Sequence, residues 1–380
     1  MKALAIIVGL SLIVMVLRDA FDSIVLPRRV ARRFRFTRFF YRTTWRPWNW
    51  VAKLLPARRR EAFLSYFGPL SLLMLLALWA VGLVVGFGLI EWVAGISGAA
   101  GQPIRLMHAF YYSGTTLFTL GLGDVVPLTH FGKFITVAEA GTGLGFLALV
   151  IGYGPVIYQS FSRREVAVSL LDARAGSPPS AGELLRRHAD SHGQQALYEL
   201  LREWERWSAE LLESHISYPI IGYYRSQHSN QSWIAALAAI LDTCAIVRVG
   251  LEGACERQAE LTFAIARHAV VDLSQVFSIP PRRPSADRLP PERFAALVRH
   301  LETSGLRLRE PETAEQRLTE LRRLYEPYIS SLASYFRLPL PPWTPEPHRS
   351  DNWQTSAWKE SAERCRAIAS HGSREDDGHL

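Results

Sequence analysis

The sequence predicts an all-α membrane protein, and three observations carry that expectation. Ala62 to Ile90 and Ala140 to Ser162 contain no Asp, Glu, Lys or Arg, and each exceeds the roughly 20 residues a helix needs to cross a bilayer. A third apolar run, Ala3 to Leu17, stands near the N-terminus. Between the two long spans lies FTLGLGDVVP, Phe118 to Pro127, in which two glycines alternate with larger residues and close on an acid.

Taken in order, the first run is short. It meets Arg18 and Asp19 after fifteen residues, so it must extend through Ala20 to Leu26 or sit in a thinned bilayer. Met1 and Lys2 before it could open a signal peptide, but no small-x-small site clearly follows. A retained first helix gives N-terminus out, the next segment in, the glycine string out and the C-terminus in.

That next segment, Arg28 to Arg60, holds twelve basic residues and no acid, in a chain whose net charge is +8. Charge concentrated beside an apolar span marks the cytoplasmic side and does not call for a nucleic-acid partner. Arg29, Arg32, Arg35 and Arg38 recur every third residue amid Phe34, Phe36, Phe39 and Phe40, a spacing that voltage-sensing helices also use. However, Arg33, Arg42 and Arg46 spread the charge around the helix, Pro47 interrupts it, and no acidic membrane helix precedes it. The expectation is an interfacial helix held to anionic lipid, with Trp45, Trp48 and Trp50 in the headgroup layer.

Phe63 to Ile90 is expected to be an outer helix, where Gly82, Gly86 and Gly88 permit close helix contact and Glu91 and Trp92 mark the external end. Gly95 to Pro103 is a loop, and Ile104 to Leu117 a short re-entrant helix. Pro127 to His130 leads into a second membrane helix, Phe131 to Phe161. Gly141, Gly143, Gly145, Gly152, Gly154 and Pro155 stud that helix. They fit a bend and tight packing equally well. Glu139, an acid within the span, should face the bundle or a water path.

YYSGTTLFTLGLGD, Tyr111 to Asp124, resembles the pore loop of potassium channels, whose filter reads TVGYG. The resemblance covers about Ala62 to Phe161. It implies that backbone carbonyls of Thr119, Leu120, Gly121, Leu122 and Gly123 bind K+, and that Tyr111, Tyr112 and Asp124 support the filter. It also implies a homotetramer, since one chain supplies one strand of the ring. Two positions depart from the pattern: Leu122 replaces the aromatic after the first filter glycine, and Phe118 replaces a threonine. Leu122 lacks the hydroxyl by which a tyrosine would brace the filter. No cofactor is implied; K+ is the permeant ion.

From Ser162 the composition becomes that of a soluble helical domain. Leu197, Leu200, Trp204, Trp207 and Leu211 repeat at heptad spacing, as do Leu318, Leu321, Tyr325, Tyr328 and Leu332, which suits packing in a bundle. Trp233 to Leu241 is apolar, but Asp242 and Arg248 follow closely, so a buried core helix is expected there. Two proline-rich linkers, Pro280 to Pro291 and Pro339 to Pro347, divide the stretch. Cys244, Cys255 and Cys365 read as reduced thiols, and His188 and His192 lack a companion acid for a metal. No motif identifies a regulator of this domain, and no nucleophile–base pair suggests an enzyme.

The domain expectations are a first membrane helix at 1–26, a basic interfacial segment at 27–61, a pore domain at 62–161, a cytoplasmic helical domain at 162–370 and a disordered tail at 371–380. The functional expectation is a tetrameric potassium channel of the inner membrane, multi-pass, with a cytoplasmic C-terminal domain. Its rivals are a weakly selective cation channel and a non-conducting receptor or scaffold with a degenerate pore.

Overall fold

The computed structural model describes residues 1–25, 36–98, 105–190, 192–228, 230–251, 255–284, 286–345 and 351–354. The arginines from Arg28 to Arg35, Cys365 and the expected tail at 371–380 lie outside the described residues. Among the described residues three helices are long and apolar enough to cross a membrane: Lys2–Val25, Arg59–Ala94 and His130–Ala175.

Helix α1, Lys2–Ala20, continues as a π-helical turn, Phe21–Val25, so the first run reaches spanning length by running past its charges. The acid that seemed to end it is buried and paired. Asp19 Oδ2 accepts from Trp79 Nε1 at 3.0 Å and from Thr37 Oγ1 at 2.6 Å, and Oδ1 accepts from the Thr37 backbone N–H at 3.3 Å. Asp19→Ala leaves the buried Trp79 N–H without its acceptor, which costs about 1–3 kcal/mol. The expected result is a lower unfolding temperature in detergent, with a smaller drop for Asp19→Asn, whose amide oxygen still accepts. An unchanged Asp19→Ala would refute the role of this contact.

Helix α2, Phe36–Leu54, corrects two expectations. Pro47 does not interrupt it, because the helix runs on to Leu54. Trp45 is buried against Phe67 at 4.8 Å and Tyr223 at 5.3 Å, and Trp48 stacks on Phe63 at 4.4 Å. These rings find protein partners instead of headgroups; Trp50 alone of the three is exposed.

Helix α3, Ala57–Ser65, is separated by Tyr66 from α4, Phe67–Ala94, which therefore starts later than the apolar pattern suggested. At its far end α4 includes Glu91, which is fully buried, and runs on to Ala94. A Cβ on Gly86 would lie 2.7 Å from Ile13 Cγ1, and one on Gly82 2.8 Å from Val16 Cγ2. The glycine face of α4 is thus where α1 packs.

Helix α5, Leu106–Leu117, is followed by the glycine string and by β2, Val125–Pro127. That strand pairs antiparallel with β1, Ile96–Gly98, in the register Ile96 to Pro127, Ser97 to Val126 and Gly98 to Val125. The sequence reading took both stretches as loop. Helix α6, His130–Ala175, is one unbroken helix of 46 residues that carries Pro155 inside it.

Contacts divide the chain into two units, Met1–Phe161 with Ser214–Arg225, and Ser162–Glu213 with Ser226–Leu380. In the first, the 3-10 turn Pro219–Tyr223 joins the aromatic cluster of α2 and α4, with Tyr223 against Tyr41, Trp45 and Phe67.

The second unit contains α7, Ala181–Arg187; most of α8, Gly193–Ser217; α9, Trp233–Arg248; α10, Glu256–Val276; α11, Pro291–Glu302; α12, Pro311–Arg323; and α13, Glu326–Phe336. Every residue of α9 from Trp233 to Val247 is buried, and α7, α10, α12 and α13 pack around it, so it is a core helix. Its acid is neutralised in place: Asp242 accepts from Arg288 Nη2 at 2.7 Å and from the Tyr325 hydroxyl at 2.5 Å. Burial alone would push the Glu183 carboxyl up, but hydrogen bonds from Arg186 and Arg187 hold it below the usual carboxylate range. Arg187 also donates to the Ala173 carbonyl at 2.6 Å and pairs with Asp351 at 2.7 Å, which fixes the end of α6 within this unit. His188 and His192 flank the turn between α7 and α8 and do not share a helix face.

Candidate functional site

The glycine string leaves α5 along a path set by one carbonyl. Thr115 O accepts from the backbone N–H of Leu120 at 2.7 Å and of Gly121 at 3.4 Å, while Thr119 N–H reaches Thr116 O at 3.0 Å. Such contacts satisfy carbonyls that a helix end otherwise leaves open. Past Asp124 the strand pairing takes over, and Val125 packs with Ile96, Ala109, Tyr112 and Trp92. The connection into α6 is tied down as well. Leu128 N–H meets Gly95 O at 3.1 Å, and Thr129 Oγ1 caps α6 by accepting from Gly132 N–H at 2.9 Å.

Between these anchors the backbone alternates in hand. Thr119, Gly121 and Gly123 have φ of +58°, +56° and +78°, whereas Leu120 and Leu122 between them do not enter positive φ. Alternation of this kind turns successive N–H groups to one side and successive carbonyls to the other. Gly121 and Gly123 adopt the left-handed region without steric penalty, while Thr119 carries the strain of a non-glycine residue there. The Leu120 and Leu122 side chains are exposed, as is Phe118.

The other sequence-selected residues fall around this loop. Tyr111, on α5, is exposed. Tyr112 instead faces α6, its hydroxyl 2.9 Å from Thr136 Oγ1. Among the helix-breaking residues of α6, Gly143 stands apart. A Cβ there would lie 1.9 Å from the Leu117 carbonyl oxygen, so the end of α5 rests directly on α6 at that point. At Gly141, Gly145, Gly152 and Gly154 an added Cβ meets nothing within 4 Å. Neither these glycines nor Pro155 breaks the helix.

The sequence singles out Glu139 as an acid facing the bundle or a water path, and the structure buries it beside Ser113 of α5. Glu91 of α4 and Glu139 of α6 are both fully buried, and Thr136 Oγ1 lies 3.4 Å from Glu91 Oε1. Ser113 of α5 contacts Glu139 Oε1 and donates toward Val84 O at 2.8 Å. From Ala62 to Ser162 the acids are Glu91, Asp124 and Glu139 alone.

Residues 73–159 match a family model described as an ion channel. The match begins within α4 and ends within α6, so this stretch is similar to an ion-channel pore region with two transmembrane helices. The chain is 24% identical over 208 residues to the uncharacterized membrane protein YdjJ of Bacillus subtilis (strain 168), in an alignment covering 54% of this chain and 60% of that protein. The chain thus spans less than two thirds of that relative's length. No solved structure matches the chain. With its three apolar helices, this is a multi-pass membrane protein.

Proposed function

We propose that this chain is one subunit of a homotetrameric potassium channel, passing K+ down its electrochemical gradient through the carbonyls of Thr119 to Gly123. The observation that carries the reading is the alternation of hand at Thr119, Gly121 and Gly123 directly after α5. On this reading α5 is the pore helix, its C-terminal end offering negative dipole to the cation, and α6 lines the pore. The exposed Leu120, Leu122 and Phe118 are then the positions that other copies cover. Because Gly143 is committed to contact with Leu117, the hinge candidates narrow to Gly141, Gly145, Gly152, Gly154 and Pro155. Purified protein in liposomes is expected to run as a tetramer and to release K+ down an imposed gradient; a monomer that carries no K+ contradicts the proposal.

A weakly selective cation channel is the second reading, favoured by the exposed Leu122 side chain, which has no hydroxyl to bond behind the loop. Both readings place α2 on the cytoplasmic side of the inner membrane, because Arg28 to Arg60 carries basic residues without an acid. A cysteine placed at Lys53 in a cysteine-free background should resist an impermeant thiol reagent applied to intact cells and react after lysis. Labelling in intact cells would reverse the orientation, and with it the assignment of the 162–370 region to the cytoplasm.

A further inference from the structure

Helix α6 is weakest in its second half. Pro155 has no N–H to give the Ile151 carbonyl, and proline is where sharp helix kinks occur. Gly154 before it adds backbone freedom. Yet α6 runs through both without a break. One stripe of the helix is covered there: Tyr153, Ile157 and Phe161, spaced by four, are buried, while Gly154 and Pro155 are exposed.

Rings from a later part of the chain lie against that stripe. Ser214–Arg225 belongs to the first unit together with α6 as far as Phe161. Within this unit the Tyr218 ring meets Tyr153 edge-on at 5.8 Å, and the Tyr224 ring meets Phe161 at 5.5 Å. One contact precedes the Gly154 and Pro155 pair and the other follows it. The same segment is anchored on α2, α3 and α4. Tyr223 stacks on Tyr41 at 5.6 Å and lies 5.1 Å from Phe67. A Cβ on Gly68 would fall 2.7 Å from the Tyr224 ring, so the two elements touch closely. Arg225 Nη1 donates to Glu61 Oε1 at 2.8 Å, with only 5% of the arginine side chain exposed. A bend at Pro155 changes the position of Tyr153 relative to Phe161, and a segment anchored in this way cannot follow both.

We propose that residues 214–225 form an internal strap that holds α6 straight across Gly154 and Pro155, and that bending of α6 to open the pore requires the strap to release Tyr153 or Phe161. The effect on ions rests on the channel reading; the strap itself does not.

Tyr218 is the residue to change, because it is half-buried and its loss leaves the Tyr223 cluster and the Arg225 to Glu61 pair in place. In the intact protein, Tyr218→Ala should speed amide hydrogen exchange over 151–161 by about three- to tenfold, the range expected for one aromatic pair. Tyr218→Phe, which keeps the ring, should exchange at the wild-type rate. In a Pro155→Ala background, where the helix regains its hydrogen bond, Tyr218→Ala should have no such effect. Should Tyr218→Ala fail to assemble, Tyr218→Leu keeps an apolar side chain without the ring and takes its place. In liposomes the same variant should release K+ faster than the wild type at an unchanged reversal potential, since Thr119 to Gly123 is untouched. Unchanged exchange in Tyr218→Ala, an equal gain with Pro155 replaced, or a conducting protein whose K+ release does not rise would each overturn the proposal. A proline-dependent gain in exchange in a protein that passes no ions sustains the strap and removes the channel reading instead.

Discussion

Gly143→Ala is expected to abolish conduction by displacing α5, whereas Gly141→Ala and Gly145→Ala leave the contact between α5 and α6 in place. The added methyl at Gly143 would sit 1.9 Å from the Leu117 carbonyl oxygen and 2.8 Å from its carbonyl carbon. Both are backbone atoms, so no side-chain rotation relieves the overlap; α5 must move by more than an ångström relative to α6. Leu117 is the last residue of α5, two before Thr119, and the shift passes directly into the loop. At Gly141 and Gly145 the same methyl meets nothing within 4 Å in the subunit. Potassium release from liposomes, with tetramer content measured in parallel, checks the contrast. A Gly143→Ala tetramer that conducts like the wild type would mean that the contact between α5 and α6 does not position the loop.

Gly121→Ala should degrade selectivity through a different cause. Its φ of +56° lies in the left-handed region, and a Cβ there meets nothing within 4 Å, so the penalty is conformational and not steric against neighbours. It amounts to roughly 1–2 kcal/mol in each subunit, and a ring of carbonyls needs every subunit in register. Relief comes by rotating the backbone out of positive φ, which breaks the alternation that Thr119 and Gly123 continue. Leu122→Tyr should instead preserve conduction, because position 122 already has the hand that ordinary residues prefer, and its hydroxyl supplies the group that Leu122 lacks.

What was legible in the sequence was whatever depends on a run of residues. Charge-free length located two membrane helices and pointed to a third, heptad spacing placed Leu197, Leu200, Trp204, Trp207 and Leu211 in a core, and the proximity of Asp242 kept Trp233 to Leu241 out of the membrane count. Long-range partners were not legible. Asp19 looked like the end of a span because Trp79, sixty residues away, could not be foreseen as its donor. Trp45 looked like a lipid anchor until Phe67 and Tyr223 enclosed it. At the candidate site the glycines announced the left-handed positions, but Thr119 did not, since nothing in a threonine advertises φ of +58°. The same holds for the choice between packing and bending in α6, which turned on a carbonyl from another helix reaching Gly143 alone. Short strands such as β1 and β2, three residues each, carry too few side chains for their pairing to leave a pattern.

The central claim is that Thr119 to Gly123 conducts and selects, and reversal potential under bi-ionic conditions tests it most directly. With K+ on one side of a planar bilayer and Na+ on the other, the purified tetramer should reverse far from zero, on the side set by potassium. Gly121→Ala should bring that potential toward zero or eliminate the current. A wild-type tetramer that carries no current, or a Gly121→Ala tetramer with unchanged current and reversal potential, would contradict the assignment of this loop as the selectivity filter.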